Sequence, residues 1–244
     1  MTDTVEWISG ADTACLIVCE HASNRVPDGI SLGVPDWVMQ THIAVDIGAA
    51  DVSRALAKRL GCSAHLATVS RLVADFNRAG DSAELTPIMS DGIQIPGNAA
   101  LSDRERAKRE ALHRAYHESL ASVVAATAPK LLISLHSFTP SLMATPTRRP
   151  WPIGVLWNQD ERAAIPGLDA LRREALQLKL GPVGANEPYS GTELNYAMDR
   201  HGEATGIPYL GLEIRQDEIS DRAGVEKWAA IVERAVRHVQ RVIG

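Results

Sequence analysis

Two histidines and a glutamate stand where short apolar runs stop. Leu16-Ile17-Val18-Cys19 leads into Glu20-His21, Leu131 to Leu135 leads into His136, and Tyr209 to Leu212 leads into Glu213-Ile214-Arg215. Imidazole and carboxylate suit a catalytic zinc, which takes three protein ligands and keeps a fourth position for a water whose pKa falls to roughly 7. His21 and His136 are the natural ligand pair. The third ligand is open among Glu20, His42 and Asp46. Glu20 adjoins His21 on an extended segment and should point the other way, because successive side chains alternate. His42 and Asp46 are four apart on one face of an expected helix, so one can ligate while the other orients it or contacts substrate. Apolar neighbours from Ile43 to Ala49 suggest that Asp46 is buried, and a carboxylate buried there needs a cation. Glu213, at an apolar strand end, reads either as the partner of an Arg or as a general base that passes the proton of an activated water to a leaving amine.

A second group follows another apolar run. Ser70 to Arg78 combines Arg71, Asn77 and Arg78. The planar donor fork of Arg fits a carboxylate bidentately, so beside an acid-rich metal site these residues suggest recognition of an anionic substrate or an oxyanion. Tyr189, in a turn entering a helix, can lie over the site, whereas Ser190 lacks the G-x-S-x-G surroundings of a nucleophile elbow. His113 and His117 are four apart on a helix but have no third ligand nearby, and His201 can border the pocket. His65 and His238 read as structural. Cys15, Cys19 and Cys62 read as small buried hydrophobes, with Cys19 the better placed should one be a nucleophile.

The elements that must position these groups alternate along the chain. Strands are expected at Ala14 to Cys19, Ala64 to Val69, Leu131 to Leu135, Ile153 to Trp157 and Tyr209 to Ile214. Continuous apolar runs of this length read as strands buried on both faces, and ligands of open α/β sheets bind at the carboxyl ends of such strands. Helical patterns fill Asp36 to Leu60, where Gly48 with its Ala neighbours reads as a join or a place of close packing, Ser102 to Ala126 behind a Ser102–Glu105 capping box, Glu161 to Leu180, Thr192 to Thr205 and Gly224 to Val242. Two Pro- and Gly-rich stretches, Ala79 to Ala100 and Ser137 to Pro152, are expected to wall or cover the site. The predicted class is α/β, built as one domain over residues 1–244.

Bulk composition is ordinary for a globular protein: 244 residues, 45% hydrophobic and 23% charged. A net charge of −5 with scattered basic residues offers nucleic acid or an anionic membrane no attraction. Met1 to Gly10 does not read as a signal peptide, and no run approaches the roughly 18 apolar residues of a membrane span, so a cytoplasmic protein is expected. Oligomeric state is not legible.

The motifs resemble the N-formylglutamate amidohydrolase family along nearly the whole chain. The segments that carry the resemblance are Cys19 to Asn24, His42 to Ala49, Ser70 to Arg78, Leu135 to Pro140 and Leu212 to Asp217. The resemblance implies a three-layer α/β/α fold with a mixed central sheet, like that of zinc carboxypeptidases. It also implies one zinc on His21, Asp46 and His136, Glu213 as catalytic base, and Arg71, Asn77 and Arg78 on the substrate carboxylate and developing oxyanion. In the wider carboxypeptidase pattern a ligating Glu follows the first His by three residues, whereas Asn24 stands there in this chain. The activity so implied is hydrolysis of N-formyl-L-glutamate to formate and glutamate, as in histidine catabolism. The substrate is then a small acidic N-acyl amino acid. Hydrolysis of other N-acyl amino acids or small peptides is the alternative within the same site. A non-catalytic binder of acidic metabolites is the alternative outside it.

Overall fold

In the computed structural model, which describes residues 4–244, the apolar runs become strands of one sheet and the amphipathic stretches become helices on both its faces. Three residues of the Met1 to Gly10 stretch, Met1 to Asp3, lie outside the described residues. In chain order the elements are β1 (Val5–Ile8), β2 (Asp12–Cys19), α1 (Ala49–Leu60), β3 (Cys62–Ala67), β4 (Met89–Ser90), β5 (Ile93–Gln94), α2 (Pro96–Ala99), α3 (Asp103–Thr127), β6 (Leu131–Phe138), β7 (Ile153–Leu156), α4 (Ala164–Leu178), β8 (Val183–Ala185), α5 (Tyr196–His201), β9 (Tyr209–Arg215) and α6 (Arg222–Ile243). Seven strands form the sheet in the order β1-β3-β2-β6-β9-β7-β8, and β4 and β5 form a separate hairpin. Strands β3, β2, β6 and β9 are parallel, whereas β1 and β7 run antiparallel to β3 and β9. The expected three-layer α/β/α class with a mixed sheet is borne out.

Alternation along the strands assigns each face its cover. Ile17, Ile133 and Leu212 pack under α1, α4 and α6, against Leu56, Leu171 and Trp228. Leu16, Leu132 and Tyr209 pack on the opposite face, under Tyr116 and Leu120 of α3 and Met198 of α5. Side chains repeat every two residues along a strand, so His136, four after Leu132, and Glu213, four after Tyr209, emerge on this second face. The β6–β9 register then sets His136 directly opposite Glu213.

The capping box forms as expected: Ser102 Oγ accepts from Glu105 N, and the Glu105 carboxylate accepts from Ser102 N at 2.9 Å. Matching boundaries otherwise agree to within three residues. Two helices need correction. The stretch from Asp36 to Leu60 is not one helix: a 3-10 turn covers Asp36–Gln40, residues 41–48 are irregular, and α1 begins only at Ala49. His42 and Asp46 therefore do not share a helix face. The break falls at Gly48, whose φ of 80° is left-handed and where a Cβ would lie 2.5 Å from the Ile219 carbonyl oxygen. The stretch from Thr192 to Thr205 shrinks to α5 and a 3-10 turn at Glu203–Thr205. Ser190 holds the preceding residues in a turn instead, its carbonyl accepting from Glu193 N and Leu194 N. Strands β1, β8, β4 and β5 are too short to show a period, so they escape a reading by periodicity.

Gly48→Ala is expected to destabilise the protein by at least about 1–3 kcal/mol, the cost of forcing a side chain into a left-handed backbone, with the Ile219 clash added. Urea unfolding measures this, and an unchanged midpoint would show that the 216–219 turn yields freely.

Candidate active site

Strand β2 ends at Cys19, and Glu20 and His21 lie in the turn beyond it. The irregular 41–48 segment is pinned over the strand ends by three hydrogen bonds. Asp46 N donates to the His21 carbonyl at 3.0 Å, Ser137 Oγ to the Ile47 carbonyl at 2.8 Å, and Ser70 Oγ to the Ala44 carbonyl at 2.8 Å. The Asp46 carboxylate consequently sits between the two histidines, with Oδ2 2.8 Å from His136 Nδ1 and 3.4 Å from His21 Nδ1. His21, Asp46 and His136 each offer one ligand atom within 4.8 Å of the others, and all three residues are buried. The structure thus brings Asp46, and not His42, to the histidine pair. His42 turns to Asp91, its Nε2 3.1 Å from Oδ2.

A divalent cation suits this arrangement on two counts. The buried Nδ1 of His21 makes no hydrogen bond, although it faces the centre of the cluster. Four buried carboxylates, on Glu20, Asp46, Asp75 and Glu213, also surround the histidine pair, and the one guanidinium there, that of Arg71, pairs with only Asp46 and Asp75. Buried charges require partners, and a 2+ ion supplies the positive charge that one Arg does not.

The electrostatics follow from this crowding. Burial disfavours a charged His136, but Asp46 and Glu20 outweigh it and raise its pKa well above 6.5. Burial likewise opposes ionisation of Asp46, yet His21 and His136 hold its carboxyl far below the usual range. Glu213 behaves in the opposite way. Burial pushes it up to about 7, the charge of Asp46 adds to the rise, and His136, His21 and Arg71 only partly offset it. Its Oε2 is buried without a hydrogen-bond partner. A carboxylate with that affinity for protons is matched to general base work near neutral pH.

These groups open on a cavity of about 480 Å³. The nine residues expected to form the site all line it: His21, Asp46 and His136 as expected ligands, Glu213 and Arg71 as the expected catalytic pair, and His42, Asn77, Arg78 and Tyr189 as expected substrate contacts. Both Pro- and Gly-rich stretches contribute wall, as expected, through Ser90 to Gly92 and through Leu142, Ala144 and Thr145. Asp91 joins the two walls, its carboxylate accepting from Met143 N at 2.8 Å and Ala144 N at 2.9 Å.

The profile of the N-formylglutamate amidohydrolase family matches residues 13–220. The chain belongs to this family. It is accordingly an amide-hydrolysing enzyme. Among solved structures, a gene product of Agrobacterium tumefaciens superposes with a TM-score of 0.86 at 28% identity, over 98% of this chain and 96% of the other. The N-formylglutamate amidohydrolase of Ralstonia eutropha superposes with a TM-score of 0.65 at 18% identity, over 98% of each chain. No curated protein sequence matches significantly. No described helix of the amidohydrolase is long and apolar enough to cross a membrane.

The other candidates weighed in the sequence, His65, His113, His117, Ser190, His201, His238 and the cysteines, fall outside the cavity. His113 and His117 form no metal site: their Nε2 atoms lie 2.9 Å from the carbonyl oxygens of Arg78 and Phe76 respectively, tying α3 to the segment that carries Asn77 and Arg78. His201 does not border the cavity; it is buried with its Nε2 2.9 Å from His117 Nδ1. His65 lies against Ser119 and His238 against Arg173, both as structural residues. All three cysteines are buried, and burial pushes the Cys19 thiol well above 9, which removes it as a nucleophile. Ser190 Oγ lies against Thr192 Oγ1, with no histidine to activate it.

Three acids touch the site in roles that sequence reasoning did not give them: Asp75 and Asp91 had no place there, and Glu20 was weighed only as a ligand. Asp75 pairs with His21 and Arg71, Glu20 approaches His136, and Asp91 clasps the cavity wall. Asp91 carried a readable signal: Asp-Gly between two short apolar stretches is a hairpin turn, and both residues have positive φ as such a turn requires.

Proposed function

We propose that the chain hydrolyses the formamide bond of N-formyl-L-glutamate to formate and L-glutamate, with one divalent ion, zinc, held by His21, Asp46 and His136. The observation that carries this reading is the β6–β9 register, which sets Glu213, its Oε2 buried without a hydrogen-bond partner, beside a buried two-histidine, one-aspartate cluster. When bound, the ion supplies Lewis acidity, polarising the formyl carbonyl and making a water easier to deprotonate. Glu213 accepts the proton that this water loses as its oxygen bonds to the formyl carbon. The same carboxyl then returns the proton to the glutamate nitrogen as the C–N bond breaks. Arg71, whose Nη1 is 3.4 Å from Asp46 and whose Nη2 is 2.9 Å from Asp75, stays charged at the cluster and stabilises the oxyanion.

The substrate carboxylate falls to Arg78 and Asn77. Asn77 Oδ1 accepts from Ala197 N at the start of α5, which leaves the Asn77 amide group for the ligand. Arg78 Nη1 pairs at 2.7 Å with Glu84, a carboxylate 62% exposed and easily exchanged for that of the substrate. Arg78→Ala is expected to raise KM roughly 10- to 100-fold with a smaller change in kcat, since a charge-assisted hydrogen bond is worth about 1.5–3 kcal/mol. Steady-state kinetics would show this, and an unchanged KM would remove Arg78 from carboxylate binding.

One observation favours a second reading. A cavity of about 480 Å³ lies within the range that takes drug-sized ligands, which is more room than a formyl group needs. Bulkier N-acyl amino acids are therefore the competing substrates. Comparing kcat/KM for N-formyl, N-acetyl and longer N-acyl glutamates decides between them, and a preference for a longer acyl chain would displace the formyl substrate.

A further inference from the structure

We infer that Asp75 and Glu20 are positioning residues that determine which ring nitrogen each histidine presents to the metal. The inference rests on the metal reading proposed above. His21 and His136 come from segments far apart in the chain, yet their surroundings follow one plan. In each ring Nδ1 faces Asp46, and Nε2 faces a second carboxylate that is itself buried.

For His21 the second carboxylate is Asp75, with Oδ1 2.7 Å from Nε2. Asp75 is held in turn: Oδ1 also accepts from Asn77 N at 2.9 Å, and Oδ2 accepts from Arg71 Nη2 at 2.9 Å. For His136 it is Glu20, with Oε2 3.1 Å from Nε2 and a side chain 0% exposed. That approach is an ion pair rather than an aligned hydrogen bond, because neither Glu20 oxygen has a hydrogen-bond partner. Glu20 is therefore committed to His136 alone among aligned or ionic contacts of the described residues.

An ionised carboxylate can only accept, and each ring faces one at both nitrogens, so once an ion held with Asp46 takes the Nδ1 lone pairs, the second carboxylate keeps the remaining proton on Nε2. Removing the carboxylate frees the ring to rotate or to change tautomer, and outer partners of this kind typically set 10- to 100-fold in metal affinity. Neither acid needs to touch the ion or the substrate. Glu20, dismissed by strand alternation as a ligand, thus acts one bond further out.

Two measurements test this. In zinc-loaded wild-type protein labelled with ¹⁵N, long-range ¹H–¹⁵N spectra of the imidazoles should show His21 and His136 both protonated at Nε2. A metal-bound Nε2 on either ring overturns the inference. Glu20→Gln and Asp75→Asn should each weaken zinc binding about 10- to 100-fold, read by competition with a chromophoric chelator, with unchanged circular dichroism. Wild-type affinity in both variants overturns it as well. Should a variant fail to fold, the tautomer measurement on unsubstituted protein decides alone. Wild-type protein that takes up no divalent ion refutes the metal reading itself, a result distinct from failure of the positioning roles.

Discussion

Asp46→Ala should strip the enzyme of its metal and, with it, of nearly all turnover. The Asp46 carboxylate meets both histidines, Arg71 and the backbone of β6. It lies 2.8 Å from His136 Nδ1, 3.4 Å from His21 Nδ1, 3.4 Å from Arg71 Nη1 and 3.3 Å from the backbone N of Ser137. Two imidazoles without it lose both the third ligand and the negative charge that holds them together. His136→Ala should do the same from the other side of the cluster. Both variants are expected to retain little zinc after dialysis and to lose on the order of 10³-fold or more in kcat/KM, the range in which catalytic metal and oxyanion stabilisation operate. Metal analysis paired with a formate-release assay reads both quantities. Full activity after rigorous chelation, or in either variant, would sink the metal mechanism.

Glu213→Gln is expected to separate metal binding from chemistry. Glutamine keeps the shape of the side chain and cannot take a proton, so zinc content and KM should stay near wild type while kcat falls by about 10²- to 10⁴-fold, the usual worth of a general base. The pH profile provides the second half of the test. A base works when deprotonated, so wild-type kcat/KM rises as pH increases through the pKa of Glu213. Burial places that pKa at about 7, and the field of a bound cation favours the ionised form and moves the acid limb below it. The residual activity of the variant should lack this limb. A variant that retained full kcat, or kept the same acid limb, would take the base role away from Glu213.

Much of the site could be read from residue types at strand ends. The apolar runs announced β2, β6 and β9, and each stopped at a group suited to binding metal or moving a proton. The capping box placed the start of α3 because it depends only on residues three apart. What failed was local in appearance and tertiary in cause. The apparent helix through His42 and Asp46 satisfied a helical period, but it breaks where Gly48 must pass close to Ile219, a residue far along the chain. The partners of His21 and His136 were equally hidden. Asp75 is 54 residues from His21, and nothing in the spacing indicates that the two rings share a plan.

The sequence by itself determined which faces carry the chemistry. Alternation is a property of each strand alone, so Leu132 to His136 and Tyr209 to Glu213 had to place imidazole and carboxylate on the same sides as their apolar predecessors. Tertiary structure decided who meets whom. Register between β6 and β9 set His136 opposite Glu213, hydrogen bonds from the strand ends drew the irregular 41–48 segment over the site, and buried acids turned both histidines toward a common centre. Those choices depend on packing between residues far apart in the chain, where the cost of burying charge outweighs local periodicity.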